Sequence, residues 1–298
     1  MNSRYTSISI IYNPFSTSGR AEIKATRLQK QLARRDIQSK LYATEYAGHA
    51  EVIAYECAIK DEHPLIVSVS GDGGYNEVIN GVMRAKRDER AHQPVCAILA
   101  AGNANDHRNA VKKSSLLRGI LQSEPEAMDI LKLHATNKKI TLLRYAHSYI
   151  GLGITSKGAA ALNREKLTRF KEIRIVLRTL LRFKPLVVKH TNGKREKFDS
   201  LVFSNIHQMS KVIKFGTETD LHNGLFRIIA IPHYSRARLF AEALRIGLFG
   251  FKNPPEASNY SFSVTKTELV HFDGEVRQIP NHAQVNVACV PEALLTIR

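Results

Sequence analysis

The sequence predicts an α/β N-terminal domain built on a parallel sheet, followed by a mostly β C-terminal domain. Three observations carry that expectation. Apolar strand-like runs alternate with helical patterns over roughly the first 130 residues, each early strand runs into a loop rich in Gly, Asn, Ser or Thr, and after about Met128 the chain changes to short alternating runs broken by turn signals. A length of 298 residues suits two domains at about 150 each. They are drawn as the α/β domain over 1–128 and the β-rich domain over 129–298.

In chain order, "SISIIYN" is a strand, Ala21 to Arg35 a helix, "SKLYAT" a strand and His49 to Lys60 a helix. "LIVSVS" is the next strand, Tyr75 to Met83 a helix, and "PVCAILA" a strand. This order argues a parallel sheet with helices on both faces, whose ligands bind at the carboxyl ends of the strands. The loops there are "NPFSTSGR", "TEYAGHA", "SGDGGYN" and "AAGNANDH", and they are expected to make one site. Later runs such as "LVVKHTNGKREKFDSLVFSNI" and "SNYSFSVTKTELVHFDGEV" carry hairpin signals, Asn192-Gly193 among them. Two helices interrupt this half, at about Asn163 to Phe183 and Ser235 to Leu248. "GLGITS" lacks the third glycine of a dinucleotide fingerprint, so Gly151 and Gly153 are expected to serve strand-end packing.

Composition narrows the function. The chain is 43% hydrophobic, no window approaches the 18 or so apolar residues of a membrane span, and the N-terminus lacks the pattern of a signal peptide. The expected location is the cytoplasm. Cys57, Cys96 and Cys289 are odd in number and far apart, which argues against a disulfide framework or a zinc site. The histidines at 190, 207, 222, 233, 271 and 282 lack metal-ligand spacing and are expected to be hydrogen-bonded polar residues. The formal charge of +17 is extreme and uneven, with thirteen Lys or Arg against three Glu between Lys157 and Lys197. Such an excess attracts a polyanion. Leu167, Phe170, Ile173, Leu177 and Leu181 fall at helical spacing there, while Arg174, Arg178 and Arg182 stack at intervals of four. This helix either packs on the core with a solvated cationic face or lies on anionic lipid. Nucleic acid is not expected, because aromatic interleaving is sparse and no binding motif is present.

The loop "SGDGGYNEVING" (Ser70 to Gly81) holds the sharpest signal. Glycines let backbone N–H groups approach a phosphate, and the following helix aims its positive end at that anion. Asp72 in the middle would repel phosphate unless a divalent cation lay between, so the loop makes sense as a Mg²⁺-nucleotide cradle. A tight turn in which Asp72 caps the helix is the plainer alternative. As a loop carboxylate, Asp72 is expected to contribute little to stability.

Five motifs in order resemble the diacylglycerol kinase catalytic-domain family, which includes bacterial lipid kinases, sphingosine kinases and ceramide kinases. They are "NPFSTSG" (Asn13 to Gly19), "TEYAGHA" (Thr44 to Ala50), "SGDGGYNEVING", "GNAND" (Gly102 to Asp106) and "FDGE" (Phe272 to Glu275), against N-P-x-S-G, T-x-x-x-G-H-A, G-G-D-G-T-x-N-E-V-x-N-G, G-T-G-N-D and D-G-E. The resemblance implies a fold like those of NAD kinases and diacylglycerol kinases. It further implies an ATP-dependent kinase, with Mg²⁺, acting on a hydroxyl of a diacylglycerol- or sphingoid-like lipid at an anionic membrane surface. Asn13 and Thr44 would line the nucleotide pocket, Gly71, Gly73 and Gly74 would cradle phosphates, and Asp72 would engage them through Mg²⁺. Asn103 takes the place of a nucleotide-contacting Thr. Glu275 corresponds to the base that deprotonates the lipid hydroxyl, a role that needs a carboxylate within hydrogen-bond reach; by its residues alone it reads first as a turn glutamate in an Asp-Gly hairpin.

The chain departs from the family at several places. Ser70 replaces the first glycine, as in sphingosine kinases, Gly74 replaces a threonine, and "HNG" (His222 to Gly224) stands where the family has D-D-G. Two alternatives therefore stay open: a relative that binds nucleotide or anionic lipid without turnover, and an NAD-kinase-like enzyme, whose family shares G-G-D-G-T and the two-domain plan. The sequence sets no oligomeric state.

Overall fold

The computed structural model describes residues 4–111, 114–157, 184–209, 213–214, 216, 220–251 and 253–298. The expected cationic helix with Arg174, Arg178 and Arg182 lies outside them. The chain divides into two compact units, Met1–Ile130 with Pro291–Arg298, and Leu131–Val290.

In the first unit, strands β1 (Ser7–Tyr12), β2 (Lys40–Ala43), β3 (Pro64–Ser70) and β4 (Val95–Ala100) alternate with helices α1 (Arg20–Ala33), α2 (His49–Lys60) and α3 (Asp72–Arg87). A short α4 (Asp106–Val111) and α5 (Leu116–Gln122) follow, and β5 (Glu126–Thr136) leads out of the unit. β1 pairs in parallel with β2 and β3, and β3 pairs in parallel with β4. Every residue of β3 is buried, as expected of a central parallel strand covered on both faces. The sheet packs on Ala21, Ala25, Leu28 and Leu32 of α1 on one side.

The second unit is mostly antiparallel β. Its strands are β6 (Thr141–Ala146), β7 (Tyr149–Gly153), β8 (Leu186–His190), β9 (Arg195–Ser204), β10 (Gln208–Met209), β11 (Ile213–Lys214) and β12 (Phe226–Pro232). After helix α6 (Arg236–Phe249) come β13 (Glu256–Ala257), β14 (Asn259–Val264), β15 (Glu268–Phe272), β16 (Glu275–Ile279) and β17 (Gln284–Ile297). Phe198, Phe203, Phe226, Phe262 and Phe272 are buried in a core closed by Leu, Ile and Val from the facing strands. The fold class is therefore the expected one, a parallel α/β unit and a β-rich unit.

One end of the chain departs from the sequence reading. β17 starts in the second unit, but Leu295, Thr296 and Ile297 pair in parallel with Val95, Cys96 and Ala97 of β4. The eight C-terminal residues thus belong to the first unit's sheet rather than to a block running from 129 to the end. "ALLTI" supplies the apolar residues that this strand buries, including Leu294 and Ile297.

Two close approaches explain glycines. A Cβ on Gly81 of α3 would collide with the carbonyl oxygen of Glu51 and crowd Ala54, so this glycine lets α2 and α3 cross in contact. A Cβ on Gly151 of β7 would occupy the space of the His271 ring, which stands opposite it on β15. All three cysteines are buried free thiols.

His271 also corrects an expectation. His190 and His233 find the carboxylates of Glu196 and Asp199, at 2.9 and 2.8 Å. His271 is buried in a T-shaped contact with the Tyr149 ring, and neither ring nitrogen has a hydrogen-bond partner among the described residues. Burial disfavours its charged form and pushes its pKa down from 6.5 to about 4, although the nearby Asp273 pulls the other way. The unfolded chain then takes up a proton at a pH where the folded chain does not. Stability is expected to fall as pH drops from about 6.5 to about 4, by up to about 3 kcal/mol from this group. Thermal melts across that range check this: His271→Leu should flatten the slope, and an unchanged slope would assign the acid sensitivity elsewhere.

Candidate active site

The site begins with the backbone at the carboxyl ends of the parallel strands. Gly71 is the N-cap of α3, in extended conformation, and carries no capping side chain. Asp72, Gly73 and Gly74 form the first turn of the 16-residue α3. N–H groups of a first turn have no carbonyl four residues behind them, and the helix dipole makes that end positive. Gly73 and Gly74 in that turn bring no side chains of their own and are partly exposed.

Asp72 is buried, and both its oxygens are engaged. Oδ2 accepts the N–H of Asp106 at 3.0 Å and Oδ1 the N–H of His107 at 3.1 Å. Asp72 therefore caps a helix, but α4 rather than the α3 it opens. A cap whose partner lies 34 residues away leaves no local pattern for sequence reasoning to find. These two bonds argue, against the expectation of a carboxylate that contributes little, that Asp72 supports the fold.

The neighbouring loops are tied to the same frame. Ala101 N–H donates to the Ser70 carbonyl at 2.8 Å, and a Cβ on Gly71 would sit 3.1 Å from the Gly102 Cα, so two glycine backbones touch. Asn105, at φ 54°, grips Gly102 twice: its Oδ1 accepts the Gly102 N–H at 2.9 Å and its Nδ2 donates to the Gly102 carbonyl at 2.8 Å. Buried Glu77 reaches from α3 to the loop before α2, accepting the Gly48 N–H at 2.9 Å. Thr44 N–H donates to the Tyr12 carbonyl at 2.9 Å, and Asn13 Oδ1 accepts the Phe15 N–H at 2.9 Å. Asn13 and Asn103 are exposed, whereas Thr44 is buried. The first unit thus brings together Asn13, Thr44, Gly71, Asp72, Gly73, Gly74 and Asn103 on four interlinked loops. Glu77 and Asn105 are framework residues that the sequence did not single out, although both stood inside quoted motifs.

The two departures inside the loop compensate each other sterically. A Cβ on Gly74 would lie 2.6 Å from the Ser70 Cβ and 2.8 Å from its Oγ. Ser70 therefore fills the space that a side chain at position 74 would need. Its hydroxyl lies 2.7 Å from Ser68 Oγ and donates to the Gly71 carbonyl at 2.9 Å. A hydroxyl is retained beside the start of α3, carried by the strand instead of the helix.

Glu275 belongs to the second unit. It opens β16 directly after a two-residue turn, Asp273 at φ 52° and Gly274 at φ 100°, the positive pair that a tight hairpin demands. Its carboxylate is 28% exposed and lies 3.6 Å from Arg277 Nη1. Buried Asp273 fixes the turn: its carboxylate accepts the N–H groups of His147, Ser148 and Tyr149 at 2.9, 3.0 and 2.9 Å. Among the described residues, no group of three or more His, Cys, Asp or Glu is placed to hold a metal ion.

Residues 7–142 match the diacylglycerol kinase catalytic domain family. The chain is 34% identical over 131 residues to a diacylglycerol kinase of Staphylococcus haemolyticus, spanning 42% of this chain and 37% of that protein. The chain therefore spans well under half the length of this curated relative. Among solved structures, a diacylglycerol kinase of Bacillus anthracis aligns with all of this chain and 98% of its own, at a TM-score of 0.70 and 16% identity. Yeast NADH kinase in complex with NADH aligns over 99% of this chain at a TM-score of 0.50 and 12% identity. These two likenesses are likenesses of fold. The kinase-family match covers the four loops of the first unit and ends before the hairpin that carries Glu275.

Asp72→Asn tests the frame within that match. The amide nitrogen cannot accept an N–H, so one helix donor loses its partner, and stability should fall by about 1–3 kcal/mol. Chemical denaturation checks this. A variant as stable as the parent would remove the capping role.

Proposed function

We propose that the chain is an ATP-dependent lipid kinase, which transfers the γ-phosphoryl group of ATP to a hydroxyl of a diacylglycerol- or sphingoid-like lipid. The observation that carries the reading is the first turn of α3, where Gly73 and Gly74 carry no side chains and are partly exposed, framed by three further loops. An N-terminal helix end with bare main chain suits phosphate. Asn13, Thr44 and Asn103 line the nucleotide pocket in this reading, and the glycines cradle the phosphates.

Mg²⁺ fits the reading as an ion that arrives with the nucleotide. Such an ion is held largely by phosphate and water oxygens with one or two protein carboxylates, and it neutralises charge that builds on the transferred group. Asp72 is the carboxylate at the loop. Because each of its oxygens accepts a backbone N–H, contact with the ion would share an oxygen whose position is already fixed.

Glu275 takes the proton of the lipid hydroxyl as the hydroxyl oxygen bonds to the γ-phosphorus. The bond from phosphorus to the bridging oxygen breaks, and its electron pair leaves on ADP. The proposed location is the cytoplasm, with peripheral contact at the inner membrane face. No helix among the described residues is long and apolar enough to cross a membrane.

A second reading is a relative that binds nucleotide or anionic lipid without turnover. The loop at His222 to Gly224 favours it, because it closes on itself: His222 N–H donates to Asp220 Oδ1 at 2.9 Å and Leu225 N–H to Asn223 Oδ1 at 3.0 Å. His222 and Asn223 stand where the family's D-D-G has two carboxylates. An NAD-kinase-like activity draws on the shared fold and on the loop at Ser70 to Gly74.

Radiolabelled ATP offered with a mixed lipid extract separates these readings. A labelled lipid supports the kinase, and a labelled dinucleotide the NAD-kinase-like enzyme. A general base contributes about 10²- to 10⁴-fold to rate and little to substrate affinity. Glu275→Gln is expected to lower kcat by that factor and to leave ATP affinity within a few-fold. If the parent binds ATP but labels nothing, and Glu275→Gln changes nothing, the reading without turnover stands.

A further inference from the structure

Large apolar side chains left in water are scarce on the described surface, and they are not scattered. Of nine exposed ones, four lie on α6: Phe240 at 61%, Leu244 at 58%, Leu248 at 68% and Phe249 at 70% exposure. Phe240, Leu244 and Leu248 repeat every four residues, so they stack along one side of the helix. At 100° per residue, exposed Ala237 and Ala241 fall on the same side. The opposite side carries buried Leu239 and Ile246, which fasten α6 to its unit. α6 is therefore apolar twice over, once toward the core and once toward solvent.

The borders of the outward stripe are cationic. Exposed Arg236 flanks one edge, and exposed Arg238 and Arg245 flank the other. Arg238 lies 4.2 Å over the Tyr234 ring, and Arg245 is paired with Glu242. At the far end of the helix, Phe251 N–H donates to the carbonyl of Lys214, which puts another exposed cation beside the last turn. Phe and Leu on the outward side with Arg along its edges is the composition of a helix lying in the plane of a bilayer interface. The cations match lipid phosphates, each worth on the order of 1 kcal/mol near an anionic surface, and the chain's charge of +17 acts in the same direction.

We propose that α6 docks the protein on an anionic lipid bilayer, with Phe240, Leu244 and Leu248 set among the acyl chains and Arg236, Arg238 and Lys214 at the headgroups. The proposal deepens the lipid-kinase reading and rests on it for why a bilayer is the partner, but its test requires no turnover. A stripe of this size on a soluble face is otherwise an invitation to self-association, which the same experiment detects.

The chain contains no tryptophan. Phe240→Trp keeps the stripe apolar and places one indole on it, so its emission reports on this residue alone. Emission should shift to the blue when phosphatidylcholine vesicles containing phosphatidylglycerol are added, and added salt should reverse the shift. Replacing Phe240, Leu244 and Leu248 together with Ser should lower sedimentation with those vesicles by about tenfold or more. Because the three side chains are exposed, the melting temperature should stay unchanged. Phosphorylation of a short-chain, water-dispersed acceptor should also be retained. No blue shift, or a triple variant that sediments like the parent, overturns the proposal. So does equal binding to phosphatidylcholine alone, or a shift that grows with protein concentration in the absence of vesicles, the mark of a second copy on the stripe. If vesicles bind the parent and release the triple variant but no acceptor is ever phosphorylated, docking stands and the kinase reading fails.

Discussion

The carboxylate of Asp72 is the constraint on which the first unit's loops depend. It opens α3 and accepts two N–H groups at the start of α4, so one side chain holds the ends of two helices. A negative charge near two positive helix ends is favourable, and the two bonds fix the spacing of the loops after β3 and β4. That spacing lets Gly71 and Gly102 touch. Glu77 repeats the device one turn further along α3, drawing in the loop before α2 through Gly48. The glycines and acids of the motif are therefore first of all the means by which several chain segments meet in one place. The open main chain at Gly73 and Gly74 is what that meeting leaves over.

Against this frame the departures at Ser70 and Gly74 lose their weight as signs of decay. Treated separately, one adds a hydroxyl where the family has glycine, and the other removes one where the family has threonine. The contact between the two positions makes them a single exchange, since only one of them can carry a side chain without moving the other. The change at His222 to Gly224 has no such counterpart among the described residues nearby, where Asp220 is spent on the turn itself.

Much of this was legible in the sequence, because it rests on local rules. Strand and helix periods gave β1 to β4 and α1 to α3 within a few residues, and Asp-Gly gave the β15–β16 hairpin. What escaped depends on partners distant in sequence. Nothing in "ALLTI" distinguishes a last strand of the β-rich unit from a strand that pairs with β4. Nothing near Asp72 announces a bond to residue 106. His271 reads as an ordinary polar strand residue until Gly151 is found opposite it. In α6 the spacing of Leu239, Phe240, Leu244, Ile246 and Leu248 shows a helix with apolar residues, and only the packing shows that Leu239 and Ile246 are covered while the other three are not.

The two aspartates of the motifs share one logic, each within its own unit. Asp72 collects two backbone N–H groups and Asp273 collects three, and both are buried. A buried carboxylate whose lone pairs are met by main-chain donors is fixed in position, because leaving any one donor unmet costs about 1–3 kcal/mol. The residues that follow each are only partly buried: Gly73 and Gly74 after Asp72, and Glu275 two positions after Asp273. In "GDGG" and "DGE" alike, the acid organises the turn and glycine lets the main chain make it. A mutation at either aspartate is thus expected to disturb the turn it organises, so a loss of activity alone would not identify a catalytic carboxylate in this chain. The stability of the same variant has to be measured beside it.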